Sequence, residues 1–176
     1  GLPGPFIKMV RIPAGSFMMG SPDTERSRDV NEGPVHEVTI GYDFYIGETE
    51  VTQGQWEAVM GSNPASGAGV GHDYPVYNVS WDDCQAFLSA LNALGQGTFR
   101  LPSEAEWEYA CRGGKTTRFH FDDSDSSIGA YAWYAKNAND IGEEYAHEVG
   151  LKQPNPFGLH DMLGNVWEWC EDFYSD

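Results

Sequence analysis

The nine residues DMLGNVWEW, from Asp161 to Trp169, hold the arrangement in this sequence best suited to chemistry. Two carboxylates, Asp161 and Glu168, flank a glycine turn whose main-chain carbonyls at Gly164 and Val166 can point at one ion. Such a donor set is all oxygen, which suits a hard cation such as calcium. The triplet His120, Phe121, Asp122 is a second candidate, because His-x-Asp spacing with a distant third ligand, His147 or His160, is the pattern of a mononuclear iron triad. With five histidines and 27 acidic residues in the chain, a triplet of this kind arises readily by chance. Loop residues that are solvated or packed on aromatic rings are the expected reading. The acidic stretch DDSDSSIG lacks the glycine at the sixth position and the glutamate at the twelfth that an EF-hand loop requires, so it reads as an exposed loop.

Other chemistries lack their motifs. No His-Glu-x-x-His pair offers a helical zinc site, no Gly-x-Ser-x-Gly elbow presents a nucleophile, and no glycine-rich phosphate loop precedes a helix. The cysteines, Cys84, Cys111 and Cys170, form no Cys-x-x-Cys pair, and three of them allow one internal disulfide at most. Cys84 and Cys111 fall on apolar helical faces and are expected in the core.

A length of 176 residues fits one domain, and 40% hydrophobic with 21% charged residues permits a packed interior. Aromatics at 14%, six of them tryptophan, suggest irregular packing around large rings. The net charge of -17 repels phosphate backbones and anionic lipid, which argues against nucleic acid as a partner. No apolar run approaches the roughly 20 residues of a membrane span, so no membrane insertion is expected.

The elements that would position these residues can be read in order. IKMVRIPAGSFMMG suggests a hairpin-like opening, with two apolar runs around a Pro-Ala-Gly-Ser turn. VHEVTIGYDFYIGETEVT alternates as two strands broken at Gly41. Three helix starts carry a capping pair, Thr52 with Gln55, Ser80 with Asp83 and Ser103 with Glu106, and Gly61, Gly95 and Gly113 stand where the helices should stop. In the middle helix Cys84, Phe87, Leu88, Leu91 and Leu94 share one apolar face. Beyond Gly114, aromatics mixed with Asp, Asn, Gly and Pro predict ordered loops, giving a single loop-heavy α+β domain.

Five blocks then carry a resemblance across nearly the whole chain: MVRIPAGSFMMGS, EGPVHEVTIGYDFYIGETEVTQGQWEAVMGSNP, YPVYNVSWDDCQAF, RLPSEAEWEYACRGG and NPFGLHDMLGNVWEWCEDFY. In this order they resemble the formylglycine-generating enzyme, or sulfatase-modifying factor, domain. The resemblance implies a C-type-lectin-like α+β fold with little regular secondary structure and structural calcium. One family calcium site falls on Asp161, Gly164, Val166 and Glu168, with Asp161 standing where the family often has asparagine. A second would draw on Asn137 in KNAND.

Active members of the family oxidise a cysteine of a target protein to Cα-formylglycine with molecular oxygen and copper held by two cysteines. That pair belongs to a segment beyond the WEW block, and Cys84, Cys111 and Cys170 match neither position, so copper is expected only in the complete family enzyme. The family's C-terminal segment is missing from the sequence, and a truncated domain would leave apolar surface to be covered by a protein or peptide partner, a second polypeptide or an oligomer. Two alternatives stand beside the oxidase parentage: a non-catalytic, lectin-like binding module, and an iron-dependent oxygenase accessory domain built on His120 and Asp122.

Overall fold

The computed structural model describes residues 6–173; Tyr174, which ends the last family-like block, and the terminus at Asp176 lie outside the described residues. Four short strands, β1 (Met9–Ile12), β2 (Gly15–Met19), β3 (His36–Ile40) and β4 (Phe44–Gly47), precede α1 (Gln53–Met60), α2 (Trp81–Ala93), α3 (Glu104–Arg112) and α4 (Ala135–Asn139). Among the described residues no helix is long and apolar enough to cross a membrane.

The opening strands form where the two apolar runs place them, but they do not make a hairpin with each other. β1 pairs antiparallel with β4, and β2 pairs antiparallel with β3. The registers are nearly continuous, with Ile12 opposite Phe44 and Gly15 opposite Ile40, so two residues on one side face three on the other. That extra residue is a bulge, and it bends one long ribbon into two sheets. Pro13 has no N–H to give a ladder, and Asp43 stitches the bend by accepting from the Ala14 N–H at 2.8 Å and pairing with Arg11. The correction has a simple cause: the Pro-Ala-Gly-Ser segment reads locally as a turn, while the long-range Asp43 bond makes it a corner.

The helix starts are local, and they form as expected. Thr52, Ser80 and Ser103 each accept from the amide three residues on, and Gln55, Asp83 and Glu106 each reach back to the cap N–H. Gly61 and Gly113 close α1 and α3 in the left-handed region, whereas α2 ends at Leu94 with Gly95 just beyond. Because the helix has ended, Leu94 leaves the apolar stripe and stands exposed, while Phe87 and Leu91 are buried.

Two apolar clusters result. Ile12, Ile40, Tyr109, Ala110, Cys111, Leu159 and Met162 form one, and Trp56, Phe87 and Leu91 form the other, with the Trp56 and Phe87 rings stacked at 4.8 Å. From Lys115 to Phe173 the chain is loop, apart from a 3-10 turn at Asp125–Ala130 and α4. Asn155 ties this loop region to the first cluster: its Nδ2 donates to the Ala110 and Cys111 carbonyls at the end of α3, and its Oδ1 accepts from the Phe157 and Leu159 amides. That clamp delivers the chain to Asp161.

Candidate metal centre at the Asp161 bend

Asp161 takes a left-handed backbone (φ 60°) with its side chain inside the protein, only 2% of the residue being exposed. Its Oδ2 accepts from the Gly150 N–H at 2.7 Å, and its Oδ1 is buried with no hydrogen-bond partner. The turn closes when Gly164 N–H donates to the Asp161 carbonyl at 3.0 Å. A Cβ on Gly164 would land on the Trp133 carbonyl oxygen, so this position accepts glycine alone. Gly164→Ala is therefore expected to cost about 1 to 3 kcal/mol by forcing the two backbones apart, read as a lower melting temperature. A melt equal to wild type would show that the contact is not tight in solution.

Asn165 follows, also left-handed (φ 67°), and works as a hub. Its N–H donates to the Trp133 carbonyl and its Oδ1 accepts from the His147 N–H, while Nδ2 reaches the Glu50 carboxylate at 3.1 Å and the His147 carbonyl at 3.2 Å. Val166 N–H turns back onto the Gly164 carbonyl, and Glu168 lies beyond it on the wall of an open groove.

Three carboxyl groups collect here. Glu50 is pushed up to about 8 by burial and then by the charges of Asp161 and Glu168. Glu168 is pushed up to about 7, first by the protein around it although solvent reaches it along the groove, and further by Asp161. The Trp107 indole N–H faces Glu168 and opposes that rise, but does not reach hydrogen-bond geometry. Asp161 is raised by burial, against the Gly150 bond and the more distant His160 and Lys152. Three raised acids, two of them raised in part by the charge of Asp161, mark a place where negative charge is held without enough compensation. Among the described residues no three His, Cys, Asp or Glu side chains converge closely enough to hold a metal by themselves. An ion at this bend would need main-chain oxygens as well as carboxylates.

Asn137 stands at the third position of α4 with its amide engaged at both ends. Its Oδ1 accepts from the Tyr134 N–H at 2.8 Å and its Nδ2 donates to the Ala132 carbonyl at 2.9 Å. The iron triad does not assemble. His120 is boxed edge-on between Phe121 and Tyr131, Asp122 accepts from the Ser124 N–H, His147 stacks on Trp133 at 3.8 Å, and His160 faces the Lys152 carbonyl. Aromatic rings hold His120 and His147, and a main-chain carbonyl holds His160. Glu50 and Asn165 are the residues that sequence reasoning missed. The asparagine after Gly164 was a possible signal, since asparagine tolerates the left-handed region, but Glu50 closes a strand-like run with no motif of its own.

The match to a family model decides what this arrangement belongs to: residues 4–176 fit the sulfatase-modifying factor enzyme 1-like domain. The chain belongs to the sulfatase-modifying factor family. Among its family relatives, the formylglycine-generating enzyme of Bos taurus is 29% identical, over 99% of this chain and 60% of its own length. The chaperone protein LppX of Paenibacillus barcinonensis is 31% identical, over 76% of this chain and 63% of its own. The structure of PvdO from Pseudomonas aeruginosa superimposes with a TM-score of 0.82 at 34% identity, covering 95% of this chain and 71% of that one. The sulfatase-modifying factor domain described here thus spans about three fifths of the length of the curated relatives it matches.

Proposed function

We propose that this chain is the calcium-braced scaffold of a formylglycine-generating-type domain, with one ion held by Asp161, Glu168 and the main-chain oxygens of Gly164 and Val166. The observation that supports this is the Asp161 carboxyl, almost wholly buried, with one oxygen bonded to Gly150 and the other to nothing. A buried carboxylate in that state is costly. A bound calcium would supply positive charge and a common centre for loops that Asn165 and the Gly164 turn also join. The residues themselves orient the donors: Gly150 fixes one Asp161 oxygen, and the Trp133 contact sets the turn. A second calcium at Asn137, which the resemblance implies, would have to use the remaining lone pair of its Oδ1.

In this reading, oxidation of a target-protein cysteine to Cα-formylglycine is the activity of the complete family enzyme, to which these residues contribute framework. The thiols here do not suit copper. All three are free, Cys111 is buried and pushed up to about 12 with its Sγ on the Met162 carbonyl, and burial pushes Cys84 and Cys170 up to about 11. A thiol kept protonated is a poor ligand and nucleophile. Incubating residues 1–176 with a cysteine peptide, oxygen and cuprous ion is expected to give no formylglycine by mass spectrometry. Sustained conversion would overturn that assignment. The same thiols favour the second reading, a non-catalytic binding module, and the chaperone name of LppX agrees with it. Titration with calcium tests the scaffold reading, and binding that ignores Asp161 and Glu168 would refute it.

A further inference from the structure

We propose that the loop after α4, together with the 69–73 loop beside it, is a docking surface for a basic segment of a partner polypeptide, with an arginine over Tyr145 and an aliphatic residue against Val70. From Asp140 to Glu148 the sequence carries four acids and no lysine or arginine. Asp140, Glu144 and Glu148 are exposed and enter no ion pair among the described residues, and Glu143 meets only the His147 Nε2 in that way. A run of acids alone is ordinarily a solvated face. Here Val70, Ile141 and Tyr145 are exposed among them, and apolar side chains collected at a surface mark a place of contact. The other acidic loop of the protein differs on both counts: Asp125 is paired with Arg26 and Arg118, and Asp123 and Asp122 accept from the Arg118 and Ser124 amides.

The two loops are joined along their length. Val149 N–H donates to the Asp73 carbonyl at 2.9 Å, and a Cβ on Gly69 would lie 2.8 Å from the Ala146 carbonyl oxygen and 3.3 Å from the Tyr145 ring. Their base is a pile of rings: His147 stacks on Trp133 at 3.8 Å, Lys152 Nζ stands 3.7 Å from the Trp133 ring centre, and Tyr145 lies 5.8 Å from His147 at 17° to it. The Asn165 side chain holds the His147 peptide at both its N–H and its C=O. Tyr145 and the acids around it therefore sit on a fixed support, so a partner gives up little entropy in ordering them.

The chemistry of the segment follows from these groups. A guanidinium is planar, so it can lie on an aromatic face while its N–H groups reach a carboxylate at the ring's edge. Glu143 stands beside Tyr145, whose hydroxyl is raised by burial and then by the Glu143 charge, and Glu144 is the next residue. Asp73 is taken by His72 at 2.8 Å, which leaves the acids of the 140–148 loop as the open positions. Phosphate backbones, anionic lipid and a second copy are all repelled by a chain that carries a charge of -17. No ligand of the Asp161 bend belongs to this surface, so the inference does not rest on the calcium reading.

The test uses the full chain in calcium-containing buffer and the fluorescent-labelled peptide Gly-Arg-Leu-Arg-Gly-amide, with glutamate in place of both arginines as the control. Binding of the arginine peptide is expected to slow amide exchange across 69–73 and 140–148, and the glutamate peptide should bind about tenfold more weakly or less. Glu144→Gln with Glu148→Gln should weaken binding by about tenfold, whereas Glu37→Gln with Asp82→Asn, exposed acids elsewhere that remove the same charge, should leave it nearly unchanged. Tyr145→Leu should weaken it about threefold and Tyr145→Phe, which keeps the ring, should not. Equal binding of the two peptides, protection elsewhere than these loops, or an equal loss in the Glu37 and Asp82 variant would overturn the proposal. Displacement of the peptide by further calcium would overturn it too and assign the four acids to an ion, and a peptide-free dimer that already protects the loops would assign them to a second copy.

Discussion

Arg100→Ala is expected to destabilise the fold by about 3 kcal/mol, and by more than Glu106→Gln does, because it strands a buried negative charge. Glu106 is 1% exposed at the third position of α3, and its two oxygens accept four bonds: from Arg100 Nη1 and Nη2 at 2.7 and 2.6 Å, Tyr42 Oη at 2.9 Å, and the Ser103 N–H at 2.8 Å. The Arg100 side chain is 54% exposed, so losing the carboxylate leaves a cation that water can still solvate. Losing the arginine leaves a carboxylate that water cannot reach. The glutamine variant keeps acceptance from Tyr42 or Ser103 and should cost about 1 to 2 kcal/mol.

The Arg100 bond also pulls the Glu106 carboxyl down from 4.5 to about 2. A folded-state value below the unfolded one means that the stabilisation is fully present above about 4.5 and is lost as the pH falls through about 2. Wild type should therefore lose stability along this acid limb, and Glu106→Gln should lose less. Urea midpoints measured from pH 6 to pH 2 decide the matter, and parallel curves for the two proteins would contradict it.

The second large effect is removal of calcium. A ligand that binds only the folded chain stabilises it by about 2.7 kcal/mol at a hundred times its Kd. For a domain of this size that is roughly 5 to 10 °C in Tm. Adding EGTA to calcium-equilibrated wild type should produce a fall of that order. Glu168→Ala should start from the lower melt and show no further response to EGTA, since it removes the charged donor on one side of the bend. A Glu168→Ala protein that still responds fully would remove Glu168 from the ligand set. If the wild-type melt is indifferent to EGTA, no ion braces these loops.

What the sequence made legible is what is local. The capping pairs at Thr52, Ser80 and Ser103 lie three residues apart, and each helix begins where its pair says. Asp161 and Glu168 lie within one nine-residue stretch, so their common turn is visible before the fold is known. The partner of β1 is a different matter, because a proline-glycine segment looks the same in a hairpin as in a bulged corner. Only the bond from Ala14 to Asp43 distinguishes them, and it spans 29 positions. Glu50 was hidden for the same reason. It lies 115 residues from Asn165, and nothing in GETEVT reveals that its carboxylate ends beside Asp161 rather than in water. His120 and Asp122 show the converse: their spacing suited a triad, but the rings of Phe121 and Tyr131 had already enclosed the histidine.

Equilibrium dialysis of chelator-stripped protein against radiolabelled calcium bears most directly on the brace. Wild type should retain an ion at this bend, and Asp161→Asn combined with Glu168→Gln, which keeps the shape while removing both charges, should lose it. Equal retention by the two proteins, or none by wild type, would contradict the assignment of this bend as a cation site.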